Sequence, residues 1–379
     1  MVGICAGSLL APYRVGAGET PEELQRRATA LILNNRGITE AKAGQFEAGA
    51  AALRQALALD PKDVQVRNSL SNILADWASR LLKDGQTERA DTLLQEAIEA
   101  NPSNGTALTQ LGDLAYYTQS DFERAITCWK QANGHVSPSV WHTIADRITQ
   151  AERDQRIERG FEVGRTAHFN LRGQAEDRAA MDVLGQKLEM GYEQLAASLG
   201  RGPATVTVIV YSADDLKRTY NQRDWAIGFY DGRLRLRRDE LTSPILGSLI
   251  AHELTHAFLH YLYGNQVPVW VHEGFAQWQE GDRPRSPEET QLEEQITSRA
   301  QWVPLEWLDR RFTHPSGIDD VRKAYAQSRV AVTHMITRYG LVKVRNFLSA
   351  LKDSASVERA YDQTFGPSTW AKANQGIFD

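Results

Sequence analysis
The sequence predicts an α+β chain in which an all-helical repeat array precedes a domain that joins a small sheet to helices. Three observations predict it. Residues 21–145 repeat a pattern of paired helices closed by a turn residue and proline. Val206–Tyr211 and Arg233–Leu236 read as strands. After them comes an apolar helix carrying His252-Glu253-Leu254-Thr255-His256. The expected segments are a flexible terminus or signal remnant over 1–20, the array over 21–145, a linker over 146–160 and the second domain over 161–379.

With 379 residues, 42% hydrophobic and 24% charged, the chain suits two soluble domains. A formal net charge of −5 argues against nucleic acid as a partner. Cys5 and Cys128 lie in unrelated contexts and suggest neither a disulfide framework nor a cysteine metal site. No apolar run reaches the roughly 18 residues that a membrane span needs. Met1 to Ala11 is apolar and rich in small residues, yet lacks the basic start of a signal peptide. It reads equally as a frayed end or as the remnant of an export signal, so cytoplasm and cell envelope both stay open.

Three segments end alike: Gln55-Ala56-Leu57-Ala58-Leu59-Asp60-Pro61, Glu96-Ala97-Ile98-Glu99-Ala100-Asn101-Pro102, and Gln131-Ala132 leading to Ser137-Pro138. Each unit has a helix-breaking tip before its second helix, at Gly44, Gly85 and Ser120. The middle unit has the longer first helix, from Asp63 to Lys83. The third carries Leu111-Gly112, Tyr116, Phe122, Ala125 and Ala132, a set that resembles the tetratricopeptide signature. That resemblance implies stacked helix pairs, since one pair cannot bury its own apolar face, and a concave surface suited to a peptide or protein partner. The array serves equally as a spacer or a brace for the second domain. Asp146 to Arg159 is highly charged and reads as a connecting helix or linker.

Phe161 to Leu171 alternates in strand fashion, with a turn at Gly164-Arg165. Glu176 to Leu199 predicts an amphipathic helix closed by Gly200, and Val206–Tyr211 a strong strand. Asp231-Gly232 is a turn signal ahead of Arg233–Leu236, whose alternation marks a half-exposed strand. Beyond Trp278, the polar, proline-containing stretch Gln279–Thr290 predicts an exposed loop. Pro304–Leu308 starts a short helix, Val321–Tyr339 forms a long one, and Gly340, Gly366 and Pro367 punctuate the rest.

The chemistry concentrates on one helix. Leu246, Leu249, Ile250, Leu254, Ala257, Phe258 and Leu262 recur at helical spacing, so this helix is buried. His252 and His256, four residues apart, share a face on which two imidazoles can close on one Zn²⁺. Glu253 sits one step round, where it can reach water on the ion as a general base. The metzincin pattern is absent, because Leu259 and Leu262 stand where its glycine and third histidine belong. His260 lies about 12 Å along the helix from His252 and cannot share the ion. Downstream, Pro268 ends an extended stretch and a second helix from Trp270 carries His272 and Glu273. Glu273 is the natural third ligand and His272 its rival; they point about 100° apart, so only one faces the metal.

His252-Glu253-Leu254-Thr255-His256, followed by Pro268, Trp270 and Glu273-Gly274-Phe275-Ala276-Gln277, resembles the gluzincin (peptidase MA-like) metallohydrolases, especially bacterial members that carry tetratricopeptide repeats. The likeness covers roughly residues 161–379. It implies a gluzincin-like zinc domain with His252, His256 and Glu273 as zinc ligands and Glu253 as catalytic base. It also puts Gln277 beside a ligand histidine and Tyr325, of Tyr325-Ala326-Gln327-Ser328, across the cleft as an oxyanion donor. An edge strand within Trp225 to Leu236, with Gly228, Phe229 and Tyr230, would pair with extended substrate. The expected function is zinc-dependent hydrolysis of peptide bonds, with a peptide or protein as substrate. A tetratricopeptide scaffold with a structural or vestigial zinc domain is the alternative.

Overall fold
The computed structural model describes residues 20–220, 228–281, 283–354 and 356–377. Almost all of the expected terminal segment, and Trp225 at the start of the expected edge strand, lie outside these residues. The chain divides into two compact units. The first takes the residues up to Asp113 together with Ala125–Ile148; the second takes Leu114–Arg124 and everything from Thr149 on.

The first unit is built from helix pairs: α1 (Pro21–Lys42) and α2 (Phe46–Leu59), then α3 (Val64–Lys83) and α4 (Thr87–Ala100), then α5 (Gly105–Asp113) and α6 (Phe122–Gln131), followed by α7 (Pro138–Ile157) as far as Ile148. Local chemistry sets the boundaries. Thr20 and Glu23 form a reciprocal capping box ahead of Pro21, and the Asp63 side chain accepts the Gln65 and Val66 N–H groups that open α3. Two helix tips turn on Gly44 and Gly85, whose positive φ of 80° and 77° most residues avoid. Alanine and leucine then let the helices close up: Ala50, Leu53, Ala56, Leu74, Ala78, Leu94 and Leu108 are all fully buried. At the crossing of α1 and α2 a Cβ on Gly37 would stand 2.7 Å from the Gly49 carbonyl oxygen, so only glycine permits this approach. Between α5 and α6 the chain passes through a π-helical turn, Leu114–Gln119, which belongs to the second unit.

The second unit contains a mixed five-stranded sheet in the order β1-β2-β3-β5-β4. Its strands are β1 (Glu162–Arg165), β2 (Phe169–Gly173), β3 (Val206–Tyr211), β4 (Gly228–Tyr230) and β5 (Leu234–Arg237). The turn between β1 and β2 falls at Thr166–His168, not at Gly164-Arg165, because Gly164 pairs with Leu171 inside the ladder. Thr166 and His168 both bind Glu189, which fixes the turn there. β2, β3 and β5 run parallel, while β1 and β4 are antiparallel edges. β3 is buried along its whole length because both faces are covered. Helix α8 (Arg178–Leu199) packs on one face with Leu184, Leu188 and Leu195. Leu216 of α9 (Ala213–Tyr220) joins Ile209 and Tyr211 on the other.

β5 departs from expectation. It is an inner strand, and Arg233 and Arg235 beside its leucines are fully buried. Their charges are matched by Asp154 and Glu158 at 2.8–3.0 Å and by Asp231 at 3.0 Å. Of the two readings of 146–160, helix holds as far as Ile157, where α7 ends, and Asp154 and Glu158 are buried inside the second unit. Tyr116 and Tyr211 hydroxyls complete the network.

The remaining elements are α10 (Leu246–Tyr263), α11 (Val269–Gln279), α12 (Pro287–Thr297), α13 (Leu308–Thr313), α14 (Ile318–Tyr339), α15 (Leu341–Ala350), α16 (Val357–Phe365) and α17 (Thr369–Asn374). The expected loop 279–290 is shorter than its composition suggests. Ser286 and Glu289 form a capping box and Pro287 occupies the first turn, so α12 begins within it. Among the described residues, no helix is long and apolar enough to cross a membrane.

Candidate metal centre
Helices α10 and α11 bring the chemistry together. The apolar side of α10, with Leu246, Ile250, Leu254, Ala257 and Phe258, is buried in the core and orients the opposite face. Pro268 ends the connection, and α11 packs back against α10 and α14. At Gly274 this packing is so close that a Cβ would lie 2.3 Å from the Ser328 carbonyl oxygen. The register of α11, and hence the aim of Glu273, is fixed by that contact.

His252, His256 and Glu273 converge, each offering one ligand atom, all within 4.8 Å of one another. The Glu273 Oε2 atom lies 3.5 Å from Nε2 of His252 and 3.7 Å from Nε2 of His256. Zinc bonds of about 2.0–2.1 Å in a tetrahedron put ligand atoms about 3.3 Å apart, close to the two separations between Glu273 and the imidazoles. The same Oε2 atom is buried and has no hydrogen-bond partner. A buried carboxylate oxygen without a partner is costly unless a cation meets it.

The other edges of the two imidazoles are held. His252 Nδ1 is 2.8 Å from Oε1 of Glu280, and His256 Nδ1 is 3.5 Å from Nδ1 of His272. His272 therefore lies beside His256, outside the three-atom cluster. Gln277 is buried on α11, but the side chain that accepts from His252 is Glu280, seven residues after Glu273. Sequence reasoning missed Glu280 because its polar surroundings read as loop. The spacing of Glu280, Arg283 and Arg285 is the available signal.

Electrostatics follow the packing. Burial opposes charge on His252, yet the carboxylates of Glu273 and Glu280 beside it outweigh that and raise the imidazole to about 10. Burial lowers His256 and His272 to about 4 each, so both are neutral at pH 7. Burial drives the Glu253 carboxyl up to about 7, against the pull of His252 and of the nearby Tyr230 backbone N–H. That N–H belongs to β4, the edge strand bearing Gly228, Phe229 and Tyr230, all half-buried. Tyr325 sits on α14 with Phe312 edge-on at 5.1 Å. Burial and then the charges of Glu273, Glu253 and Glu280 keep its hydroxyl protonated well above the usual range.

A family model for the tetratricopeptide repeat matches residues 34–76 and 75–132. No curated protein sequence matches the chain. The N-terminal helix pairs are thus repeats of the tetratricopeptide kind, which imply a protein partner.

Proposed function
We propose that the second unit is a zinc-dependent peptidase and that the repeats bring it a protein or peptide. The observation that carries this reading is the buried, unpartnered Oε2 of Glu273 facing two imidazole nitrogens. Three protein ligands leave a fourth position free, the mark of a catalytic zinc site as opposed to a structural one. An ion held by His252, His256 and Glu273 would supply a Lewis acid that polarises an amide carbonyl and brings the pKa of water to about 7. Glu253, poised near neutral pH by burial, takes the proton of the attacking water and returns it to the departing nitrogen. Tyr325, protonated and close to these carboxylates, donates a hydrogen bond to the carbonyl oxygen as charge builds there. The edge strand β4, antiparallel to β5, aligns an extended substrate beside Glu253.

A second reading, an interaction scaffold with a structural or vestigial metal site, draws its support from the repeat match. Hydrolysis of a mixed peptide library separates the two. Glu253→Gln keeps the shape and removes the base, so zinc content stays and turnover falls by about 10²–10⁴. Equal turnover in wild type and variant sinks the peptidase mechanism, and no turnover in zinc-loaded wild type favours the scaffold.

A further inference from the structure
From the ion pairs around α12 we infer that Glu280 is the positioning residue for His252, and that Arg283, anchored on α12, holds it in place. This rests on the metal-centre reading. The chain of contacts is continuous. Glu280 accepts from His252 Nδ1 through Oε1 at 2.8 Å, while its Oε2 accepts from Nε of Arg283. The Nη2 of Arg283 reaches Oε1 of Glu289 at 2.6 Å. The other Glu289 oxygen accepts the Ser286 backbone N–H at 2.8 Å, so the relay ends in the capping box that starts α12.

A parallel branch ties α12 to the helix bearing Tyr325. Arg285 pairs with Glu293 at 3.6 Å and stands 3.9 Å from Oε2 of Glu280, and Arg329 of α14 pairs with Glu293. Glu280 is nearly buried and Arg283 about one-fifth exposed, so solvent screens these pairs less than surface ones. A carboxylate on the far nitrogen of a metal-binding histidine fixes ring orientation and tautomer and increases ligand basicity. Here that carboxylate comes from the C-cap of α11, and its own position is set by a guanidinium bridging two acids. Glu280, Arg283 and Glu289 therefore belong to the metal centre although none of them is a ligand.

The test is zinc affinity of the full-length chain, by competition with a chelator, together with the visible absorption spectrum of the cobalt(II)-loaded protein. Glu280→Gln and Arg283→Met each weaken zinc about 10–100-fold and change the cobalt spectrum, while the fold by circular dichroism is kept. Arg283→Lys retains a charge beside Glu280 but cannot bridge to Glu289, and falls between wild type and Arg283→Met. Unchanged affinity and spectrum in both Glu280→Gln and Arg283→Met overturn the relay alone. A wild-type chain that takes up no zinc overturns the metal centre and the relay with it.

Discussion
Asp154 is held between two guanidiniums, with its Oδ2 atom 3.0 Å from both Arg233 and Arg235 and 2.6 Å from the Tyr116 hydroxyl. Burial alone would raise its carboxyl, but Arg235 and Arg233 outweigh it and hold the group below the usual 3.8. A depressed carboxylate contributes stability above its unfolded pKa and loses it as pH falls through the folded value. Asp154→Asn leaves two buried arginines short of a partner and should cost about 3–5 kcal/mol at pH 7. Urea unfolding at pH 7 and near pH 3 checks this: the gap between wild type and variant narrows at the lower pH, and a pH-independent gap contradicts it. The residue scale also explains how far the sequence is legible. His252, Glu253 and His256 share two helical turns, so their geometry follows from 3.6 residues per turn. Asp154 meets Arg233 across 79 positions, and no local pattern marks that pairing. Arg233–Leu236 is legible as a strand, but its expected half-exposure depends on partners far away.

At the level of elements, the crossing of α11 and α14 sets the site. Gly274 follows Glu273 and faces the Ser328 backbone oxygen and the Val332 Cγ2 at 2.3 and 2.5 Å from where a Cβ would be. Gly274→Ala must push the two helices apart, which costs about 1–3 kcal/mol and moves Glu273 off its aim. Thermal unfolding and zinc titration read both effects; a variant equal to wild type in each shows that the crossing tolerates a methyl group. Helix existence is legible here from apolar spacing around Trp270, Val271 and Phe275. The start of α12 is obscured by its polar composition, although Ser286, Pro287 and Glu289 form a capping sequence that a closer reading of local chemistry finds.

On the scale of the whole molecule, the boundary between array and second domain is not a single point in sequence. Leu114–Arg124 lies with the second unit. The Tyr117 carbonyl accepts from Thr207, the Thr118 carbonyl from Asn170, and Tyr116 joins the buried arginine network. A chain truncated to residues 146–379 loses all three and should aggregate or melt well below the full-length protein. A soluble truncation with unchanged melting would show that the segment is dispensable. Roles of the repeats in recruitment are accordingly better tested by substitutions in the full chain. The repeat period and helix tips are legible because each unit repeats its own local signals. The crossing of Leu114–Arg124 into the second unit is not, because side-chain partners of Tyr116 come from β5 and α7.

Everything proposed for catalysis depends on three residues holding one ion, and metal analysis of purified variants tests that most directly. The account predicts one zinc per wild-type chain, loss of most of it in His252→Ala, His256→Ala and Glu273→Ala, and retention in His260→Ala and His272→Ala. Full zinc occupancy in Glu273→Ala together with loss in His272→Ala would contradict it.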